Sequence, residues 1–219
     1  MSGVASRVVS ALLAVAASLI LTAAACAHPH VLPTVKVDLI VSSNGLVTAI
    51  QHTWLYDSAY STFIGRDLDT NKDGVISSDE LAAFAKNQVD ALAEHSYFTT
   101  VTAQAGAVEL GAAQSYSVEK RDDGRIQLGF VVSLKTSASV DRQLTVELFD
   151  PNFFAYFTMA DDGVHLVGAP QGCVPAVTGP QPIDLKNTRS IPAVFWDALN
   201  NGSKTAALQF VNRITVTCR

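Results

Sequence analysis

Positive charge is scarce and scattered along this chain. Fifteen Lys and Arg against twenty Asp and Glu leave a net charge of −5 over 219 residues. No basic stripe or cluster interrupts them, which excludes the electrostatic footprint of a nucleic-acid binder, while an acidic surface suits cations. Catalytic signatures are missing as well. The sequence has no Ser/His/Asp order, no zinc-protease helix and no phosphate loop, so nothing in it supports hydrolysis and the expectation is that it is not an enzyme. There are no internal repeats. Cysteine is limited to three residues, and the one long apolar run stands at the start.

That run, Val8 to Ala25, follows a single basic residue, Arg7, and leads into Ala25-Cys26-Ala27. The layout is that of a secretory signal peptide, residues 1–27, cut after Ala27 so that His28 opens the mature protein. Two alternatives stay open. A membrane span is opposed by the Ala-rich composition and the lack of a basic flank to halt transfer. Lipidation of Cys26 is opposed by Ala23, where such signals carry Leu. Cleavage makes the protein periplasmic or secreted, with no membrane insertion afterwards. It also removes Arg7, taking the charge from −5 to −6, and leaves Cys173 and Cys218. An even pair in an oxidising compartment points to a disulfide, with metal ligation by the two thiolates as the alternative.

The mature chain of roughly 190 residues suits one domain. Its pattern is mostly β. Val35 to Leu39 alternates, Ser43-Asn44-Gly45 makes a turn and Leu46 to Tyr56 returns, which predicts a hairpin. Further strands are expected over Tyr97–Gln104, Val108–Glu119, Arg125–Leu134, Gln143–Phe149, Gly163–Val167 and Gln209–Cys218. Asp122-Asp123-Gly124 and Asp161-Asp162-Gly163 read as turns. After Pro170, prolines at 175, 180 and 182 suggest a loop containing Cys173, followed by a short helix over Ile191–Leu199. Between about residues 57 and 95 the period turns helical on both sides of a polar loop. The fold class is therefore α+β, mainly an antiparallel β-sandwich with an inserted EF-hand-like helix-loop-helix.

The polar loop carries the most specific motif. Asp69, Asn71 and Asp73 fall at positions 1, 3 and 5 of a twelve-residue calcium loop, with Gly74 at the turn, the Val75 carbonyl at 7, Ser77 at 9 and Glu80 closing it. A hard cation takes roughly 6 to 8 oxygens at about 2.3 to 2.6 Å, and this spacing supplies them. Ile76 is the apolar anchor. The plain alternative is a polar surface turn with Ser77 or Ser78 capping a helix. One loop without a partner suggests a weak Ca²⁺ site that acts as a structural staple.

A second candidate site lies at the mature N-terminus. His28-Pro29-His30 offers an α-amine and two imidazoles, and residues two apart in an extended segment face the same side. That ligand set suits Zn²⁺, Cu²⁺, Ni²⁺ or Co²⁺. Pro29 lacks an amide N–H, which excludes the square-planar copper motif that needs a deprotonated second amide. The alternative is a frayed, idle terminus. Asp150 or His165 would complete the shell, His52 is expected to pack beside Trp54, and His95 to cap the helix before it through the dipole.

Together, Ala27-His28-Pro29-His30-Val31, Trp54-Leu55-Tyr56-Asp57, the calcium-type loop, Tyr97-Phe98-Thr99, Leu148-Phe149-Asp150-Pro151, Gly172-Cys173 and Val216-Thr217-Cys218 resemble domain-of-unknown-function family 1007. The resemblance covers essentially all of the mature chain. That family consists of bacterial periplasmic proteins labelled as periplasmic components of an ABC-type transport system, often beside nickel/cobalt-type or zinc-linked permeases. It implies a role in metal traffic, with His28, His30, Asp57, the loop Asp69 to Glu80, Asp150 and the cysteine pair as shared positions. Leu32, Pro33 and Tyr56 depart from the family pattern. The function expected is an exported metal-binding accessory protein for a transition-metal transport system, with a membrane metal permease as partner. The alternatives are a calcium-stabilised binding or scaffold module without a transition-metal role, and a metalloenzyme using the histidines for oxidation.

Overall fold

Alternation in the first strand sets the frame. In β1 (Thr34–Val41) every second residue, Val35 to Val41, is buried, and the turn at Gly45, with φ of 75°, returns the chain as β2 (Leu46–Leu55). The two pair antiparallel from Thr34↔Leu55 to Val41↔Val47, which is the expected hairpin. The computed structural model describes residues 30–140, 143–180, 193–201 and 207–218. The expected signal peptide, residues 1–27, and Pro182 fall outside them.

The remaining elements follow in order as α1 (Ser58–Leu68), α2 (Ser78–Ala93), β3 (Thr99–Ala103), β4 (Gly106–Val108), β5 (Leu110–Lys120), β6 (Ile126–Ser139), β7 (Thr145–Leu148), β8 (Thr158–Val167), β9 (Cys173–Thr178), α3 (Ala193–Asn201) and β10 (Asn212–Cys218). Ten strands form two five-stranded sheets, β5-β6-β2-β1-β8 and β4-β3-β7-β10-β9. Their inner faces meet through Val37, Leu39 and Ile50 from one sheet and Val101, Val146 and Ile214 from the other. The chain is thus mostly β with three helices among the described residues, an α+β protein built on two sheets. Where the second sheet ends, the helices take over the cover, burying Ile64, Leu68, Ala85 and Val89 against Trp54, Leu128 and Phe130. A third, aromatic cluster joins α3 to the rest, with Phe195 lying 5.5 Å from both Phe153 and Phe210.

Several expectations need correction. The strand pairs are mainly antiparallel, as expected, with one exception: β1 and β8 run parallel, Thr34↔Thr158 to Ile40↔Val167, an alignment that the Val31–Ala155 parallel bridge continues upstream. The acidic turn at Asp161-Asp162-Gly163 is instead a bulge inside β8, where pairing jumps from Val35↔Met159 to Val37↔Val164. Gly163 has no room for a side chain, since a Cβ there would stand 2.6 Å from the Ala160 carbonyl. The acids point outward, and Asp162 pairs with Lys36 at 2.8 Å.

The segment expected as one strand from Val108 is two. Gly106–Val108 pairs with β3 in one sheet, and Leu110–Lys120 pairs with β6 in the other. Cys173 lies in a strand and not in a loop, because Pro175 sits opposite Val216 on an edge strand, where a missing N–H is tolerated. Cys173 and Cys218 are direct cross-strand partners and form the disulfide.

Candidate functional site

The loop between α1 and α2 is ordered by its own amides. Asp69 ends α1 as its C-cap, and Ser77 begins α2 through a capping box with Glu80. Within it Gly74 takes φ of 84° and Lys72 of 61°, the left-handed turns that reverse the chain in so few residues. The Asp69 carboxylate accepts from the amides of Asp73 at 3.1 Å and Gly74 at 2.8 Å. Asn71 Oδ1 accepts from the Asp73 amide at 2.9 Å, and Asp73 Oδ1 from the Val75 amide at 2.8 Å.

Glu80 spans the loop. One oxygen accepts from Thr70 N and Oγ1 at 2.8 and 2.9 Å, the other from Ser77 N and Oγ, both at 2.9 Å. These bonds, the Ser77 amide first, hold its carboxyl down to about 2, since donors aimed at a carboxylate favour the charged form. All six expected loop residues, Asp69, Asn71, Asp73, Val75, Ser77 and Glu80, therefore share one hydrogen-bonded loop. Val75 projects outward at 66% exposure, as a residue offering only its carbonyl can, and Ile76 packs against the core as the anchor. Among the described residues no three His, Cys, Asp or Glu side chains are grouped closely enough to hold a metal ion.

The second candidate segment is docked, not frayed, from His30 onward. His28 and Pro29 lie outside the described residues. The amides of His30 and Val31 both donate to the Phe154 carbonyl, at 2.9 and 3.1 Å, and Tyr156 N returns a bond to Val31 O at 2.9 Å. The His30 ring is exposed and lies 5.1 Å from that of Phe154. Leu32 N donates to Asp57 Oδ2 at 3.0 Å, while Asp57 Oδ1 caps α1 by accepting from Ala59 and Tyr60. One carboxylate thus ties the histidine segment to the helix that leads into the polar loop.

Asp150 and His165, expected as further ligands, are engaged elsewhere. Asp150 is buried and accepts from the amides of Asn152 and Ala155 at 2.8 and 2.9 Å. It shapes the turn that presents the Phe154 carbonyl, and so acts on His30 through the backbone. His165 bonds Asp38 at 2.9 Å, eight positions along the chain from His30 on the pairing strand. His52 packs as expected, fully buried, its ring stacked 4.8 Å from Phe130 and edge-on to Trp54. Both of its nitrogens lack a hydrogen-bond partner, and burial drives the imidazole from its ordinary 6.5 down to about 3. His95 follows the Glu94 C-cap of α2, donates its amide to Leu92 O at 3.0 Å, and lays its ring flat on Phe98 at 5.4 Å.

Two features escaped the sequence reading. Asp57 carries a visible cap signal, but its bond to Leu32 depends on tertiary placement. The backbone at residues 96–98 has no signal at all. No curated protein and no solved structure matches the chain. Residues 13–218 match the family described as protein of unknown function (DUF1007), and with nearly its whole length so covered the chain belongs to that family.

Proposed function

We propose that the protein is an exported, periplasmic accessory protein that binds a transition-metal ion through His28 and His30 and passes it to a membrane permease. The Asp69–Glu80 helix-loop-helix serves as an EF-hand-like calcium staple. The observation that carries the reading is the docking of His30: its backbone is held by Phe154 and its neighbour Leu32 by Asp57, while its ring faces solvent. An imidazole on a fixed backbone loses less freedom on ligation than one on a frayed end. The ions suited to an amine and two imidazoles are Zn²⁺, Cu²⁺, Ni²⁺ and Co²⁺.

The test is N-terminal sequencing of the exported protein, then native mass spectrometry with each ion. A chain beginning at His28 and binding one equivalent, with the equivalent lost in His30→Ala, is the expected result. A different first residue, or no uptake by the correctly trimmed chain, would sink the proposal.

The loop has its own prediction. Its oxygens are already turned by the amides of Asp73, Gly74 and Val75, so Ca²⁺ at ten times its Kd should stabilise the fold by about 1.4 kcal/mol. For a domain of this size that is a rise in Tm of about 3 to 5 °C. Differential scanning calorimetry should show the rise in the parent and not in Glu80→Gln.

A second reading, a calcium-stabilised scaffold with no transition metal, is favoured by the commitment of Asp150 and His165 to other partners. The calorimetric rise without any metal equivalent in mass spectrometry would select it.

A further inference from the structure

Three successive non-glycine residues, Ser96, Tyr97 and Phe98, occupy the left-handed region with φ of 51°, 55° and 51°. That conformation crowds Cβ against the following carbonyl oxygen, and a fold keeps such a run only where its surroundings dictate it. Tyr97 is the anchor here. Its ring is buried, and its hydroxyl accepts from Ala113 N at 3.0 Å and donates to Gly111 O at 3.5 Å. The Phe98 carbonyl accepts from Phe149 N at 2.9 Å. The turn stands Phe98 in the wall of a cleft of about 480 Å³, with Phe149 and Leu208 as further apolar lining.

Among the described residues the titratable groups that line the cleft are Glu94, Glu147 and His95, and no Lys or Arg lines it. Glu147 is already paired with Arg213 at 2.7 Å, whereas Glu94 is exposed at the C-cap of α2. The sixteen-residue helix ends there, so the negative end of its dipole falls at the same rim. Aromatic faces attract cations as well, and the volume lies in the roughly 300 to 1,000 Å³ range of small-molecule sites.

We propose that this cleft binds an organic ammonium ion with an apolar body. The ammonium rests by Glu94 and the carbonyl end of α2, and the body lies against Phe98, Phe149 and Leu208. The cleft's lining includes neither His30 nor any residue of the Asp69–Glu80 loop, and the proposal does not depend on either candidate site.

Benzyltrimethylammonium titrated into isotope-labelled full-length mature protein, followed by amide NMR, tests the assignment. Phenylacetate serves as an anion with a similar body. Saturable shifts at Glu94, Phe98 and Phe149 are expected with the cation. Affinity should fall about two- to fivefold in Glu94→Gln, and fall in Leu208→Arg, which sets a cation at the rim. Both side chains are exposed, and retention of the parent's remaining spectrum verifies the fold of each variant. Absence of saturable shifts, unchanged affinity in Glu94→Gln, or equal binding of phenylacetate would overturn the proposal.

Discussion

Acidification from neutral pH should cost this fold about 5 kcal/mol through His52 alone. The group is depressed in the folded state, from 6.5 to about 3, because its ring is fully buried with both nitrogens unpartnered, stacked on Phe130 and edge-on to Trp54. The unfolded chain therefore takes up the proton first. Its contribution is intact above pH 6.5 and erodes at about 1.4 kcal/mol per pH unit as the pH falls toward 3. Urea unfolding at a series of pH values in that window measures the slope directly. In His52→Leu the slope should shrink by about one proton's worth, and stability at neutral pH should hold or rise, since an apolar side chain of similar size leaves no unsatisfied nitrogen. Parallel pH profiles for the two proteins would refute the assignment.

Loss of the Cys173–Cys218 bond should be nearly as damaging. The bridge closes a sequence separation of 45 residues, which limits the unfolded chain by about 4 kcal/mol in the loop-entropy account. A double Cys173→Ser/Cys218→Ser variant should melt about 8 to 16 °C lower. The loss should be greatest locally. β9 is an edge strand held by β10 on one side, with the bridge at one end of their pairing. Amide exchange at residues 173–178 should accelerate ahead of the rest. A change in Tm below about 2 °C would mean that strand pairing, and not the crosslink, secures the edge.

How much of this was legible in the sequence depended on whether the deciding interaction was local. The β1–β2 hairpin, α1 and α2 follow from side-chain period and cap residues, and the ends of the two strands agree with the expectation within about two residues. The disulfide followed from counting the cysteines left after the expected signal cut. Pro175 misled because proline signals a loop unless the strand is an edge, and edges are set by the whole sheet. The parallel run of β8 and the division between β4 and β5 depend on which sheet each segment reaches, information that alternation does not hold. For the candidate sites the candidate ligand residues were visible by spacing. What His165 and the second oxygen of Asp57 do was not, because their partners, Asp38 and Leu32, lie far along the chain, whereas Asp150 bonds within its own turn, to Asn152 and Ala155. The left-handed turn at Ser96–Phe98 runs against the preference of every residue in it, so only the tertiary anchoring of Tyr97 explains it.

The central parallel pair has a kinetic corollary. Thr34 finds its β8 partner only at Thr158, so one side of β1 stays open while the intervening chain is being made. An unsatisfied strand flank with alternating valines is a template for misassociation. Such long-range pairing also slows folding. Nascent molecules should therefore depend on holding chaperones until residue 158 has arrived, and chains arrested short of that point should yield aggregates.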